Sequence, residues 1–252
     1  MITMLGEKFV AVRHETELSQ PVKQLFESMG YEVKSEVLNC DLVASRGDLE
    51  EPVIIELKKS MSVALLLQGM QRQRISPNVY IAVEKRKKPR KEWKQTIELC
   101  QRLGLGLITV QFFKTLKPRV EVCCDPGGPP ETLPSAARSR SLQRRRSASL
   151  MKEFHGRSGD YNIGGSTRRK IVTAYREQSL FCAYLTEKHG IVTPKQLKQL
   201  SGFDQADRML QRNVYGWFER IERGKYALTD AGKEALTIYQ DIVKERFEPL
   251  EK

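Results

Sequence analysis

The chain has 252 residues, of which 40% are hydrophobic and 29% charged, so it can bury a core as one large domain or two smaller ones. The longest aliphatic run, Val63–Leu67, is far shorter than the ~20 residues of a membrane span, and charged Glu7 and Lys8 stand where a signal peptide would be apolar. Five cysteines without a C-x-x-C pair and three histidines argue against a disulfide scaffold or a zinc cluster. These features predict a cytoplasmic protein that does not enter a membrane.

The net charge of +12 is concentrated in two segments. Residues 135–170 hold ten Arg or Lys against two acidic residues, and residues 84–94 hold seven basic against two acidic residues. Clustered cations displace counterions from phosphates, so this pattern predicts a polyanionic partner such as nucleic acid. Solvated loops and helix ends are the alternative explanation.

Helix and strand patterns alternate over the first 125 residues. Residues 14–29 predict a helix, because Leu18, Val22 and Phe26 share one face and Gly30 follows as a stop. Further helices are predicted from 62 to about 74 and over 91–103, and strands are predicted at 31–37, 41–44, 52–58, 79–83, 107–110 and 119–122. This order predicts an α/β core of about 120 residues.

Pro, Gly, Ser and Arg dominate residues 126–168, which predict a linker with one short helix near 147–155. Within it, residues 162–167 (NIGGST) precede three basic residues and predict either a turn or a backbone anion nest. Periodicity returns at residue 170, with helices predicted over 170–188, 194–201 and 204–214, a hairpin around 223–225 and a final helix from 230. Domains are therefore predicted at residues 1–125 and 169–252.

Charged residues on the third predicted strand indicate chemistry. Glu56 and Lys58 point to one face of an otherwise apolar strand, where unpaired burial costs several kcal/mol. Asp41 opens the preceding strand and would lie beside Glu56. Two carboxylates and backbone oxygens suit Mg²⁺ or Mn²⁺, which would lower the pKa of a bound water. Lys58 would orient that water or stabilise developing charge, although an exposed ion pair on a strand is the alternative.

This arrangement resembles the PD-(D/E)xK nuclease superfamily, over roughly residues 14–122: a helix bearing Glu, a β-hairpin carrying Asp and then E-x-K, a helix and a further strand. The resemblance implies a restriction-endonuclease-like mixed sheet flanked by helices. It also implies that Asp41 and Glu56 bind the metal and that Lys58 is the catalytic lysine. Cys40 stands where the family name has Pro.

Further residues near this motif are candidates for the site. The first-helix acid is Glu15 or Glu17, and we prefer Glu15 because it falls on the apolar face of the helix, whereas Glu17 would cap the helix or face solvent. Gln68 corresponds to a Gln in branches that resemble the RecB nuclease domain, where it would contact a nucleotide or orient the site. An ordinary solvated Gln is the alternative. Arg72 and Arg74 would follow near the cleft, either contacting phosphate or simply exposed.

Residues 170–230 resemble a winged helix, a module that reads double-stranded DNA and sometimes binds proteins instead. The residues implied to contact DNA are Gln205, Arg208 and Arg212 on the recognition helix, Arg220, Arg223 and Lys225 on the wing, and Arg144, Arg145 and Arg146 in the linker. Trp217 and Phe218 would anchor the hairpin, and Met209, Leu210 and Val214 would face the core.

The whole chain resembles a bacterial family that joins a PD-(D/E)xK-like domain to a C-terminal winged helix. The matching stretches are GYEVKSEVLNCDLVA, VIIELKKS, YNIGGSTRRKIVTAYR and NVYGWFERIERGKYALT. This resemblance brings no known substrate, so it supports the architecture more than the activity. The candidate site and the winged helix together predict Mg²⁺- or Mn²⁺-dependent hydrolysis of DNA phosphodiester bonds. A non-catalytic DNA-binding or regulatory protein is the alternative, and an RNA-processing enzyme is a third. A single site cuts one strand, so cleavage of both strands would require a homodimer.

Overall fold

A six-stranded mixed sheet forms the centre of the first of two units in the computed structural model. The units comprise residues 1–171 and 172–252. The structure describes residues 10–12, 14–48, 50–85, 92–128, 140–166 and 170–247. Most of the basic segment at 84–94 therefore lies outside the described residues.

The elements of the first unit are α1 (Thr16–Ser28), β1 (Glu32–Val37), β2 (Cys40–Ser45), β3 (Val53–Lys58), α2 (Val63–Arg72), β4 (Val79–Glu84), α3 (Glu92–Arg102), β5 (Gly106–Gln111), β6 (Arg119–Cys124) and α4 (Arg140–Gly156). The elements of the second unit are α5 (Ala174–His189), α6 (Pro194–Ser201), α7 (Ala206–Arg212), β7 (Phe218–Glu222), β8 (Lys225–Leu228), α8 (Asp230–Ile238) and α9 (Gln240–Ile242), which continues as a π-helical turn (Val243–Phe247).

The strands of the large sheet lie in the order of the chain. β1, β2 and β3 pair antiparallel, β3, β4 and β5 pair parallel, and β6 returns antiparallel to β5. One face packs on α1 through Leu18, Val22 and Phe26. The other face packs on α2, α3 and α4, with Leu65 and Cys100 in the core. The predicted mixed sheet flanked by helices is confirmed.

A tight two-residue turn connects β1 and β2. Leu38 and Asn39 both have positive φ, at 45° and 67°. Two such residues are what a two-residue type I′ hairpin requires. The hairpin sets the antiparallel register in which Val37 lies opposite Cys40, so the residues on either side of it face each other across the two strands.

Residues 140–166 belong to the first unit and pack on its sheet, whereas the sequence predicts a linker over residues 126–168. The 17-residue α4 buries Leu150 and Phe154 in the core that α2 and α3 share. The buried ammonium of Lys34 donates to the carbonyls of Phe154 (2.8 Å) and Arg157 (2.7 Å) at the end of α4. A cation is favourable at a helix C-terminus. Residues 129–139 and 167–168 of the predicted linker lie outside the described residues.

The second unit contains the predicted helices and hairpin. Thr193 and Gln196 form the predicted capping box at the start of α6. Trp217 and Phe218 are buried, as expected of anchors for the hairpin. Val214 is exposed, and the prediction that it faces the core is wrong because α7 ends at Arg212 and the next residue, Asn213, has a φ of 44°. Over the described part of the chain, every helix is too short or too polar to cross a bilayer.

Candidate active site

Asp41 and Glu56 face each other on neighbouring strands. Leu42 pairs with Ile55 in the antiparallel register of β2 and β3, so the next position places Asp41 opposite Glu56. Side chains of directly opposite residues lie on the same face of a sheet. Asp41 Oδ2 accepts a hydrogen bond from the Leu57 N–H at 2.7 Å. The two carboxylates thus converge at the end of β3, the strand that also carries Lys58.

Burial disfavours the ionised form of both carboxylates. Glu56 is 1% exposed, and burial raises its pKa to about 7, with a further contribution from the charge of Asp41. Burial also raises the pKa of Asp41, while the Leu57 N–H and the charge of Lys58 oppose that rise. Two adjacent desolvated carboxylates repel each other, so a cation between or beside them is favourable.

Arg72 is the cation that contacts Glu56 directly. Its Nε donates to Glu56 Oε1 at 2.6 Å, and its Nη2 donates to the carbonyl of Asn39. Arg72 is the last residue of α2, so this helix delivers the guanidinium to the end of the hairpin. The side chain is an internal counter-ion, whereas Arg74 is exposed. Gln68 is half-buried and lies one turn before Arg72 on the same side of α2.

Glu15, rather than Glu17, reaches Lys58. The Lys58 Nζ lies 3.0 Å from Glu15 Oε2, and both side chains are partly exposed. Glu17 Oε1 instead accepts from the His14 N–H at 2.9 Å, as a residue near a helix start does. The structure therefore brings Glu15, Asp41, Glu56 and Lys58 into one region, with Gln68 on the adjoining helix.

Glu36 is a further acid at this site, and no pattern in the sequence predicts it. It lies on β1 with only 8% exposure and a φ of 53°. Its Oε1 accepts from the Ser166 N–H at 3.0 Å, and the Gly165 N–H also contributes. Burial raises the pKa of Glu36, and the charge of Asp41 raises it further. No local sequence pattern could indicate the burial of Glu36, because Glu36 and its hydrogen-bond partner Ser166 are 130 residues apart.

The Gly-Gly segment after Ile163 forms a turn against the site. The Ser166 N–H donates to the Ile163 carbonyl at 3.2 Å. A Cβ at Gly164 would lie only 2.6 Å from the carbonyl oxygen of Asp41, so this close approach requires glycine. The predicted alternatives of a turn and an anion nest are both realised, since the turn binds the carboxylate of Glu36.

The expected DNA-contacting residues are exposed but lie on separate elements. Gln205 precedes α7, and Arg208 and Arg212 lie on its exposed side. In the hairpin, Lys225 pairs with Glu222 at 2.6 Å, and Arg220 Nε donates to the Glu222 carbonyl at 3.3 Å. The remaining exposed arginines are Arg223 at the hairpin turn and Arg144, Arg145 and Arg146 on α4.

The donor set fits a metal that takes few protein ligands. Among the described residues, no three His, Cys, Asp or Glu side chains are arranged to hold an ion. Mg²⁺ is usually held by one or two carboxylates, with water and substrate oxygens at the other positions. Asp41 and Glu56 match that smaller set, and their burial beside each other gives an ion an electrostatic reason to bind.

The mixed sheet with its acids and lysine defines a PD-(D/E)XK-like protein. A family model described as "Putative PD-(D/E)XK phosphodiesterase (DUF2161)" matches residues 108–235. The match covers just over half of the chain, which therefore belongs to this family. It includes the turn at Gly164 and most of the second unit, while Asp41, Glu56 and Lys58 precede it. No curated protein and no solved structure matches the chain.

Proposed function

We propose that the protein is a Mg²⁺- or Mn²⁺-dependent nuclease that hydrolyses phosphodiester bonds of DNA. The observation that carries the proposal is the convergence of two desolvated carboxylates, Asp41 and Glu56, with Lys58 at the end of one strand. A structural ion pair would need only Glu56 and Arg72. The second carboxylate raises the electrostatic cost, which a binding-only protein has no reason to keep.

Asp41 and Glu56 would hold the metal ion. When bound, the ion would lower the pKa of a water molecule and neutralise charge on the phosphodiester. Ile55 and Leu57 are buried on the opposite face of β3, and their packing holds in place the strand that carries Glu56 and Lys58.

Lys58 would stabilise the negative charge that develops on the phosphate. Glu15 would orient the ammonium through their 3.0 Å contact. The partial exposure of Lys58 supports this role, because a group that contacts substrate must face the cleft. Gln68 would hydrogen-bond a nucleotide or orient the site from α2.

The predicted winged-helix domain, residues 169–252, would bind duplex DNA together with the preceding basic segment. Its element order supports this: α5, α6 and α7 are followed by the β7–β8 hairpin. The recognition helix would present Gln205, Arg208 and Arg212, and the wing would present Arg220, Arg223 and Lys225. Arg144, Arg145 and Arg146 would add phosphate contacts from α4. One site per chain would nick one strand, so cutting both strands would require a homodimer.

The test is cleavage of supercoiled plasmid, linear duplex and single-stranded oligonucleotides with Mg²⁺ or Mn²⁺ and with a chelator. Glu56→Ala and Lys58→Ala should each lower the rate by about 10²–10³-fold or more, as removal of a charge-stabilising group does. Lys59→Ala is the matched control, because Lys59 is the neighbouring lysine and is exposed. Its rate should equal that of the unmodified protein.

Absence of cleavage on every substrate would contradict the proposal. If salt-sensitive duplex binding then survived Glu56→Ala and Lys58→Ala, the protein would be a DNA-binding or regulatory protein that retains the nuclease fold. The Glu56–Arg72 pair favours that second function, because it neutralises the buried acid without a metal ion. Cleavage of RNA alone would identify an RNA-processing enzyme.

A further inference from the structure

Glu36 occupies a backbone conformation that its residue type disfavours. Its φ of 53° lies in the left-handed region, where the Cβ of a non-glycine residue crowds the backbone. Such strain persists where surrounding structure fixes it, and it concentrates at functional sites. Ser35 pairs with Leu42 and Val37 pairs with Cys40, so Glu36 lies opposite Asp41 in the β1–β2 register.

Residues 157–160 fix the backbone on both sides of Glu36. Fully buried Arg157 donates from Nη1 to the Ser35 carbonyl at 2.9 Å and from Nη2 to the Glu36 carbonyl at 3.4 Å. Asp160 accepts from the Ser35 N–H at 2.7 Å and from the Ser35 hydroxyl at 2.9 Å. Asp160 is itself paired with Lys23 of α1 at 2.9 Å. The strained residue is therefore held from α1 and from the segment after α4.

The Glu36 side chain in turn holds the turn at Gly164–Ser166 by accepting from its N–H groups. This turn touches two residues of the site. The Cα of Gly164 packs so closely on Asp41 that a Cβ would meet its carbonyl oxygen at 2.6 Å, and a Cβ at Gly165 would lie 3.5 Å from the Cβ of Glu15. Movement of the turn would therefore change the surroundings of both acids.

We propose that Glu36 is a positioning residue: its carboxylate fastens the Gly164–Ser166 turn against Asp41 and Glu15, and thereby fixes the geometry of the Glu15–Lys58 pair and of Asp41. The inference rests on the proposed function for its catalytic consequence, but the positioning itself is measurable without any activity. Glu36 acts as a hydrogen-bond acceptor in this role, so Glu36→Gln should keep the turn in place and Glu36→Ala should not.

The first measurement is amide hydrogen exchange by mass spectrometry, on the full chain without nucleic acid or metal. Glu36→Ala should speed amide exchange about tenfold or more at Gly165 and Ser166. It should also speed exchange at Leu57, whose N–H donates a hydrogen bond to Asp41. Glu36→Gln should stay close to the unmodified protein at both places. Glu98→Ala is the control, because Glu98 is an exposed glutamate on α3.

The second measurement is cleavage kinetics with the same variants. We expect Glu36→Ala to lower kcat about tenfold or more with little change in KM, and Glu36→Gln to restore it. Unchanged exchange at Ser166 in Glu36→Ala would overturn the proposal, as would faster exchange at the turn with no change at Leu57. Equal loss of kcat in both variants would also overturn it, because the charge itself would then be needed. If the unmodified protein cleaves nothing while the exchange pattern holds, the nuclease proposal fails and the positioning role stands.

Discussion

Glu56→Gln should change how the stability of the first unit depends on pH. The pKa of Glu56 is about 7 in the folded protein against an ordinary value of 4.5, chiefly because the side chain is buried. Below pH 4.5 the acid is protonated in both states. Between these values the unfolded chain releases the proton while the folded protein retains it, so the free energy of unfolding falls as pH rises.

The size of this effect follows from the difference between the two pKa values. The slope approaches about 1.4 kcal/mol per pH unit, so ionisation of Glu56 removes on the order of 3 kcal/mol of stability by pH 7. Gln has no proton to release. The stability of Glu56→Gln relative to the unmodified protein should therefore rise by on the order of 3 kcal/mol from pH 4.5 to pH 8, while cleavage is lost.

The assay is urea unfolding at a series of pH values with a chelator present. The chain has two tryptophans, Trp93 in the first unit and Trp217 in the second, so a Trp217→Phe background lets fluorescence report the first unit alone. The matched control is Glu98→Gln, because Glu98 Oε1 also lies 2.6 Å from a guanidinium, that of Arg102, but with both side chains mostly exposed. That control should show no added pH dependence over this range.

Parallel stability curves for Glu56→Gln and the unmodified protein would refute the reasoning. They would mean that the Arg72 guanidinium offsets the burial cost completely and that Glu56 ionises with an ordinary pKa. The reasoning would be refuted more strongly if the free energy of unfolding of the unmodified protein rose between pH 4.5 and 7 and Glu56→Gln removed that rise. The pKa of Glu56 would then be lowered by folding, not raised.

Three further outcomes are expected. Phe154→Ala should lower the free energy of unfolding of the first unit by about 3–5 kcal/mol in urea titrations, because it removes a fully buried ring; a loss under 1 kcal/mol would mean that α4 does not pack there. Gly164→Ala should reduce the cleavage rate and stability together, measured by plasmid nicking and calorimetry, because its Cβ would collide with the Asp41 carbonyl. Arg208→Ala and Arg212→Ala should each weaken duplex binding and lower the slope of log affinity against log salt by about one, and an unchanged slope would exclude phosphate contact.

Local sequence signals predicted most of the sheet and its helices. The apolar spacing of Leu18, Val22 and Phe26 defined α1, and the capping residues Thr193 and Gln196 defined the start of α6. Each signal involves residues only a few positions apart, so each can be recognised from the sequence before the tertiary structure is known.

The packing of α4 and the burial of polar residues on β1 depend on contacts between residues that are far apart in the sequence. The start of α4 is rich in arginine, so its composition predicted a linker. Its buried residues Leu150 and Phe154 pack in the core that α2 and α3 share, with residues distant in the sequence. The polar residues Lys34 and Glu36 of β1 are both buried, because partners from the end of α4 and from the turn at Ser166 cover them. A pattern of alternating polar residues carries no information about such partners.

The order in which the chain is synthesised determines when the site can be complete. The contacts that hold Lys34, Ser35 and Glu36 join residues 120 to 130 positions apart. Strands β1 to β3 leave the ribosome long before residues 157–166, so a nascent or truncated chain carries the acids without the segment that orders them. Such distant pairings also form slowly. Under the proposed function, an unfinished polypeptide would therefore be a poor nuclease, and fragments from interrupted translation would leave DNA uncut.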